Sequence, residues 1–266
     1  MFSADEGCSV ARWSSSSGLR VFLRWLPAGT RPAAELIVNA EDAVSLRKAL
    51  APGDLIIDTA GPFQHRTLAL LKTACEIGCD IIDVNDHLAY AQQVLALEAE
   101  IFRAGIRVLS SASSVSAIAA ALLHESGADS VYLPRIWPSL QDVAMYVDAN
   151  TPGVNMLLCA AAHLPALRWL LLHTVNWGTE IARMIGSRAG GIGYEIEDAA
   201  GYVARFALLS AQNSFLVAVA PAVLAAQAMV AGPFQPTGLV LPHKQIEPAE
   251  LWAFFKSHGI EIARLS

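Results

Sequence analysis

The sequence predicts an α/β protein built on a doubly wound parallel sheet, followed by an α+β region. Three observations carry this. Short β-branched runs alternate with helical patterns between Glu35 and about Ala121. Each run stops at a turn signal, the strongest being Gly61-Pro62. The alternation ends near Ser130, where hairpin and helix patterns take over.

Taken in order, residues 35–38 form a short apolar run and 43–50 show helical spacing. Residues 54–58 read Asp-Leu-Ile-Ile-Asp, a compact strand that ends at Gly61-Pro62. Residues 67–77 predict a helix, because Leu68, Leu70, Leu71, Ala74 and Ile77 share one stripe. Gly78 suits its C-cap, since glycine enters the left-handed region freely. Residues 80–84 predict a second strand, and 87–104 a single long helix closed by Gly105. Residues 106–109 predict a third strand, with a serine-rich turn and a helix over 115–124 behind it. Repeated strand–helix units of this kind make right-handed crossovers on a parallel sheet, with helices on both faces.

A domain boundary near Ser130 divides the chain into 1–129, the α/β domain, and 130–266, an α+β domain. In the second part 154–184 is Ala/Leu-rich and helical, while 194–198 and 202–209 read as a hairpin turning at Gly201. A helix over 247–256, a Gly259 cap and a strand over 260–263 follow. Gly186, Gly190, Gly191 and Gly193 read as a loop, because no strand signal precedes them.

Composition narrows the function. Hydrophobic residues make up 54% and charged residues 16%, against roughly 25% charged in average soluble domains. Heavy burial, a homodimer interface or a membrane contact is therefore expected. A net charge of −6 without any basic run speaks against nucleic acid. Cys75 and Cys79 have no second cysteine pair to complete a zinc site, so no metal is expected, and reduced thiols in a cytoplasmic protein follow. Residues 1–17 lack the apolar core of a signal peptide. Residues 156–177 carry too many polar groups to span a membrane. Residues 215–234 are long and apolar enough, and read either as a membrane helix or as a buried helix packed on the sheet.

Open α/β sheets bind ligands beyond the carboxyl ends of their strands. Three such ends stand out. They are Asp58-Thr59-Ala60-Gly61-Pro62-Phe63, then Asp80 to Asp86 with Asp83 and Asn85, then Val108 to Ser114 with its serines. In this order and spacing they resemble the saccharopine dehydrogenase-like family, and the likeness extends over residues 19 to 264. The resemblance implies a Rossmann-like domain that binds NADP or NAD and an oxidoreductase acting on a small molecule. Cofactor contacts are then expected at Thr59, Ala60, Gly61, Pro62, Phe63 and Ser111. Residues 18–24 resemble the family's second strand, with Arg24 facing the adenosine phosphate, and Gly7 resembles the last glycine of a phosphate-binding loop.

Each residue also has a plainer role. Gly61-Pro62 suits any tight turn, Asp86 or Asn85 suits the N-cap of the following helix, and the serines suit the cap of the next. Asp83 stands where the family places polar residues near its substrate cleft. Of the histidines His65, His87 and His124, His65 is the best candidate proton carrier, because it follows the turn. The catalytic candidates are thus His65 and Asp83. No G-x-G-x-x-G stands between a first strand and a first helix. The expectation is a Rossmann-like sheet with its first strand and glycine-rich loop missing or degenerate, an N-terminally incomplete nucleotide domain with activity impaired accordingly. Strand edges and apolar side chains beside the missing strand should lie uncovered. The alternative is a non-catalytic relative that uses its apolar second half at a membrane or lipid surface, or to dimerise.

Overall fold

The computed structural model describes residues 20–22, 36–125, 156, 189–197, 201, 203–212, 214–232 and 234–265. Strand β1 (Arg20–Phe22) pairs antiparallel with β2 (Leu36–Val38). Helix α1 (Ala43–Ala49), strand β3 (Leu55–Asp58), helix α2 (Ala69–Ile77) and strand β4 (Asp80–Asp83) follow. Helices α3 (Leu88–Ala96) and α4 (Glu98–Ala104) lead to β5 (Arg107–Leu109). A π-helical turn (Ser114–Ile118) then runs into α5 (Ala119–Glu125). Beyond it lie β6 (Gly190–Glu197), β7 (Val203–Ser210), α6 (Ser214–Ala231), β8 (Gly238–Val240), α7 (Pro248–Ser257) and β9 (Ile260–Leu265).

The central sheet has the order β3-β4-β5-β8, parallel throughout. Its strands are short and apolar because helices cover both faces. Successive residues point to opposite sides. Ile56, Ile81 and Val108 meet Leu46 of α1, Leu70, Leu71 and Ala74 of α2, Val94 of α3 and Ile101 of α4. Ile82, Leu109 and Val240 point the other way, onto Ala222, Ala225 and Met229 of α6. Each such fully buried aliphatic side chain contributes roughly 1.5–3 kcal/mol. The α/β class with helices on both faces is therefore as the sequence predicts.

Helix α6 joins the two halves. Upstream of Ala222, its Val217 and Ala220 pack with Ile118, Ala121 and Leu122 of the 114–125 helix, Phe206 and Leu208 of β7, and Leu251 and Phe255 of α7. That second core lies under an antiparallel sheet of order β6-β7-β9. The apolar stretch thus forms, up to Ala231, a helix seated on the sheet. Its other side stays exposed, with Phe215 64% and Val230 48% accessible.

Several expectations change. The single helix over 87–104 is two helices, broken at Leu97, whose N–H closes a tight turn onto Val94 O at 3.0 Å. No glycine or proline marks the break. The glycines 190, 191 and 193 belong to strand β6 rather than to a loop, because eight residues of β7 pair with them and their neighbours. Residues 20–22 do not extend the parallel sheet. They pair with 36–38 in a separate two-stranded ribbon, and each satisfies the other's backbone groups. Strand β8 carries no alternating pattern in three residues, and it draws the parallel sheet across the expected boundary. Ser130 itself, the helical stretch over 154–184 apart from Met156, and Gly186 lie outside the described residues. Among the described residues β3 is an edge strand, and Ile57 on it is 46% exposed.

Candidate functional site

The carboxyl ends of β3, β4, β5 and β8 point the same way, so their following turns lie side by side. The β3 end begins at Asp58. Its Oδ1 accepts from Ala60 N at 3.0 Å and from Arg66 Nη1 at 3.2 Å. Arg66 Nη2 lies 3.1 Å from Asp58 Oδ2, with both side chains 1% exposed. Arg66 Nη1 also donates to Ala60 O at 2.8 Å, and Nε pairs with Glu41. Burial works against the Arg66 charge, but Asp58 and Glu41 outweigh it and hold the guanidinium more firmly protonated than usual. Burial likewise raises Glu41, yet hydrogen bonds from Thr67 and the charge of Arg66 bring it below the ordinary carboxyl value. This network staples the 59–66 segment to the strand end.

Within that turn the Gly61–Pro62 bond is cis. Phe63 is buried, edge-on to Tyr90 with ring centroids 5.2 Å apart. Thr59, Pro62, Gln64 and His65 are exposed, while Ala60 and Gly61 are half-buried. A Cβ built on Gly61 meets no atom within 4 Å, so the turn faces open space. His65 Nε2 lies 3.3 Å from Gln64 Nε2.

At the β4 end Asp83 is buried. Its Oδ1 accepts from Asn85 N at 3.0 Å and from Ser111 N at 2.8 Å, while its carbonyl accepts from Ala112 N at 2.8 Å. Burial pushes its carboxyl up to about 6, against the bonds from the Ser111 and Asn85 amides and the Ser110 hydroxyl, and Asp58 adds to the rise. Asn85 Nδ2 donates to Ser111 Oγ at 3.2 Å, and its Oδ1 accepts from His87 N at 2.8 Å. Asn85 therefore holds the start of α3. Asp86, expected there as the cap, is exposed, because the inward turn of Asn85 already satisfies the amide.

The β5 end is the serine turn. Ser111 has a positive φ of 61°. Ser113 is the N-cap residue of the helix, but its hydroxyl makes no capping bond. Gln245, beyond β8, donates to Ser110 O at 2.8 Å and Val240 O at 2.9 Å. The Ser113 hydroxyl and Gln245 Oε1 are buried without a hydrogen-bond partner among the described residues, while the Ser110 hydroxyl meets the Asp83 carboxylate.

Asp83 and Ser111 are thus in direct contact, and Thr59 to Phe63 form the neighbouring turn, while Gly7 and Arg24 lie outside the described residues. Reasoning from the sequence passed over Glu41, Arg66 and Gln245. Arg66 had one visible signal: it is the lone permanent charge between Thr59 and Leu71. The cluster can hold a proton on Asp83 in a mildly acidic range and offers exposed hydroxyl and amide groups at Thr59 and Gln64 beside an open turn.

No family model matches the chain, and no curated protein matches it. Among solved structures the chain is similar to the apo, histidine-tagged saccharopine dehydrogenase (L-Glu forming) from Saccharomyces cerevisiae. The identity is 12%, the match covers 86% of this chain and 88% of that one, and the TM-score is 0.47.

Proposed function

We propose that this chain is a saccharopine dehydrogenase-like, NAD(P)-dependent oxidoreductase. It seats the nicotinamide-bearing end of NADP or NAD against the turn from Thr59 to Phe63. The observation that carries this is the open backbone at Gly61, at the carboxyl end of β3 and beside the buried Asp83–Ser111 contact. Parallel α/β sheets bind nucleotides there, and a residue without Cβ lets a ring lie on the backbone. Thr59 and Gln64 then hydrogen-bond ribose or carboxamide groups, while Ser111 shapes the floor. The bound nucleotide supplies hydride chemistry, and the protein supplies orientation. Gly7 and Arg24 are proposed for the phosphates. A small-molecule substrate, a homodimer and a cytoplasmic location go with this proposal. His65 is its exposed proton carrier, and Asp83 acts from behind the turn.

Titration of NADPH fluorescence tests it, with wild type and Gly61→Val side by side. A Cβ at this position meets no atom within 4 Å among the described residues, so the variant is expected to keep its fold while filling the ligand's space. Wild-type binding tighter than roughly 100 μM, lost in Gly61→Val, is expected. No binding by wild type sinks the proposal.

One observation favours a second reading, a non-catalytic protein acting at a lipid surface or through dimerisation. Helix α6 carries no charged residue, and Phe215 and Val230 are exposed on it. Sedimentation with liposomes in the absence of NADPH binding would favour this reading.

A further inference from the structure

We infer that Asp83 is an internal latch: its carboxylate ties the turn after β4 to the turn after β5 and holds Ser111 in a left-handed conformation, so that neutralising the carboxylate loosens residues 110–113. The geometry is specific. One oxygen, Oδ1, accepts from Asn85 N at 3.0 Å and Ser111 N at 2.8 Å. The same two residues meet again through Asn85 Nδ2 and Ser111 Oγ at 3.2 Å. Ser111 sits at φ 61°, where a Cβ crowds the backbone, so the turn persists only while its surroundings hold it. The neighbouring Ser113 hydroxyl is buried with no partner among the described residues, and the Ser110 hydroxyl meets the same Asp83 carboxylate, so the hold on the turn runs through Asp83.

Charge decides the strength of the hold. Hydrogen bonds to a carboxylate are roughly twice as strong as those to a neutral acceptor. Asp58, opposite Asp83 on β3, and Tyr90, from α3, are the ionisable groups whose charge couples to it. Lys72, Cys75 and Glu76 on α2 do not act on it. Helix α6, packed against β4, has no ionisable side chain, and neither has the 110–113 turn. With burial lifting the carboxyl to about 6, the latch changes state in a mildly acidic range. Nothing in it depends on nucleotide binding.

Hydrogen–deuterium exchange of the Ser111 and Asn85 amides, corrected for intrinsic rates, tests it in the full chain. In wild type, protection of Ser111 should fall about tenfold as pH drops from about 7.5 to about 5, in step with a weaker bond. Asp83→Asn keeps the acceptor oxygen but not the charge, and should be weakly protected at both pH values. Wild-type protection that stays the same across the range, or Asp83→Asn protected as well as wild type near pH 7.5, overturns the latch. If Asp83→Asn does not fold, the wild-type carboxyl ¹³C signal of Asp83 decides. A Ser111 protection midpoint that coincides with that titration supports the latch, and one with no inflection there overturns it.

Discussion

Asp58 and Asp83 stand opposite one another at the carboxyl ends of neighbouring parallel strands, both buried, and only Asp58 has a cation beside it among the described residues. Arg66 neutralises the first. Peptide N–H groups and the Ser110 hydroxyl receive the second. The two carboxyls therefore behave differently, although both end a Leu/Ile-rich strand in the same way.

Removing Arg66 should expose the cost of this arrangement. Arg66→Met leaves Asp58 buried and unpaired, which typically costs about 3–5 kcal/mol. Urea unfolding near neutral pH should register that loss. The double variant Asp58→Asn with Arg66→Met should recover most of it, because no isolated charge remains. A single variant within about 1 kcal/mol of wild type would show that Asp58 finds water instead.

Asp83 should make stability depend on pH in the direction unusual for an acid. Its carboxyl lies at about 6 in the folded chain, above the roughly 3.9 of an unfolded aspartate. The folded state therefore binds the proton more tightly. The stability this contributes is fully present below about pH 4 and is lost as pH rises to about 6. Above that range Asp83→Asn should be the more stable protein, by at most about 3 kcal/mol, and the difference should vanish below about pH 4. Denaturant midpoints across the range measure it. Greater global stability together with weaker protection of Ser111 would be the signature of a group that serves the turn rather than the fold.

The glycines of β6 should differ sharply from one another. A Cβ on Gly191 falls 2.7 Å from Leu208 O and 2.8 Å from a Leu209 methyl, whereas on Gly193 the nearest atom is Phe206 O at 3.9 Å. Gly191→Ala must push the ladder apart, at about 1–3 kcal/mol. Gly193→Ala should leave the melting temperature nearly unchanged. Equal effects in thermal melts would contradict the pairing of β6 with β7.

What the chain's local pattern determined is the class of fold and the places where strands end. β3, β4 and β5, the stripe of α2, the Gly78 and Gly105 caps, the hairpin and the α7–β9 tail all follow from periodicity and turn chemistry. These depend on residues within a few positions of one another. The turns that make up the candidate site were legible for the same reason, as strand ends.

Tertiary structure alone decided which of those turns touch. Arg66 bonds to Glu41 across 25 positions, Ser111 to Asp83 across 28, and Gln245 to Ser110 across 135. No local pattern records such separations. Whether the apolar helix α6 faces lipid or protein was likewise open in the sequence, since composition is the same in both cases. The sheet settled it for one side, where Ala222, Ala225 and Met229 meet Ile82, Leu109 and Val240. Short strands such as β8 carry too few residues to show a period, and form because a neighbouring strand offers an unpaired edge. The physical reason is common to all of these: long-range burial and pairing choose among local conformations that the sequence leaves nearly equal.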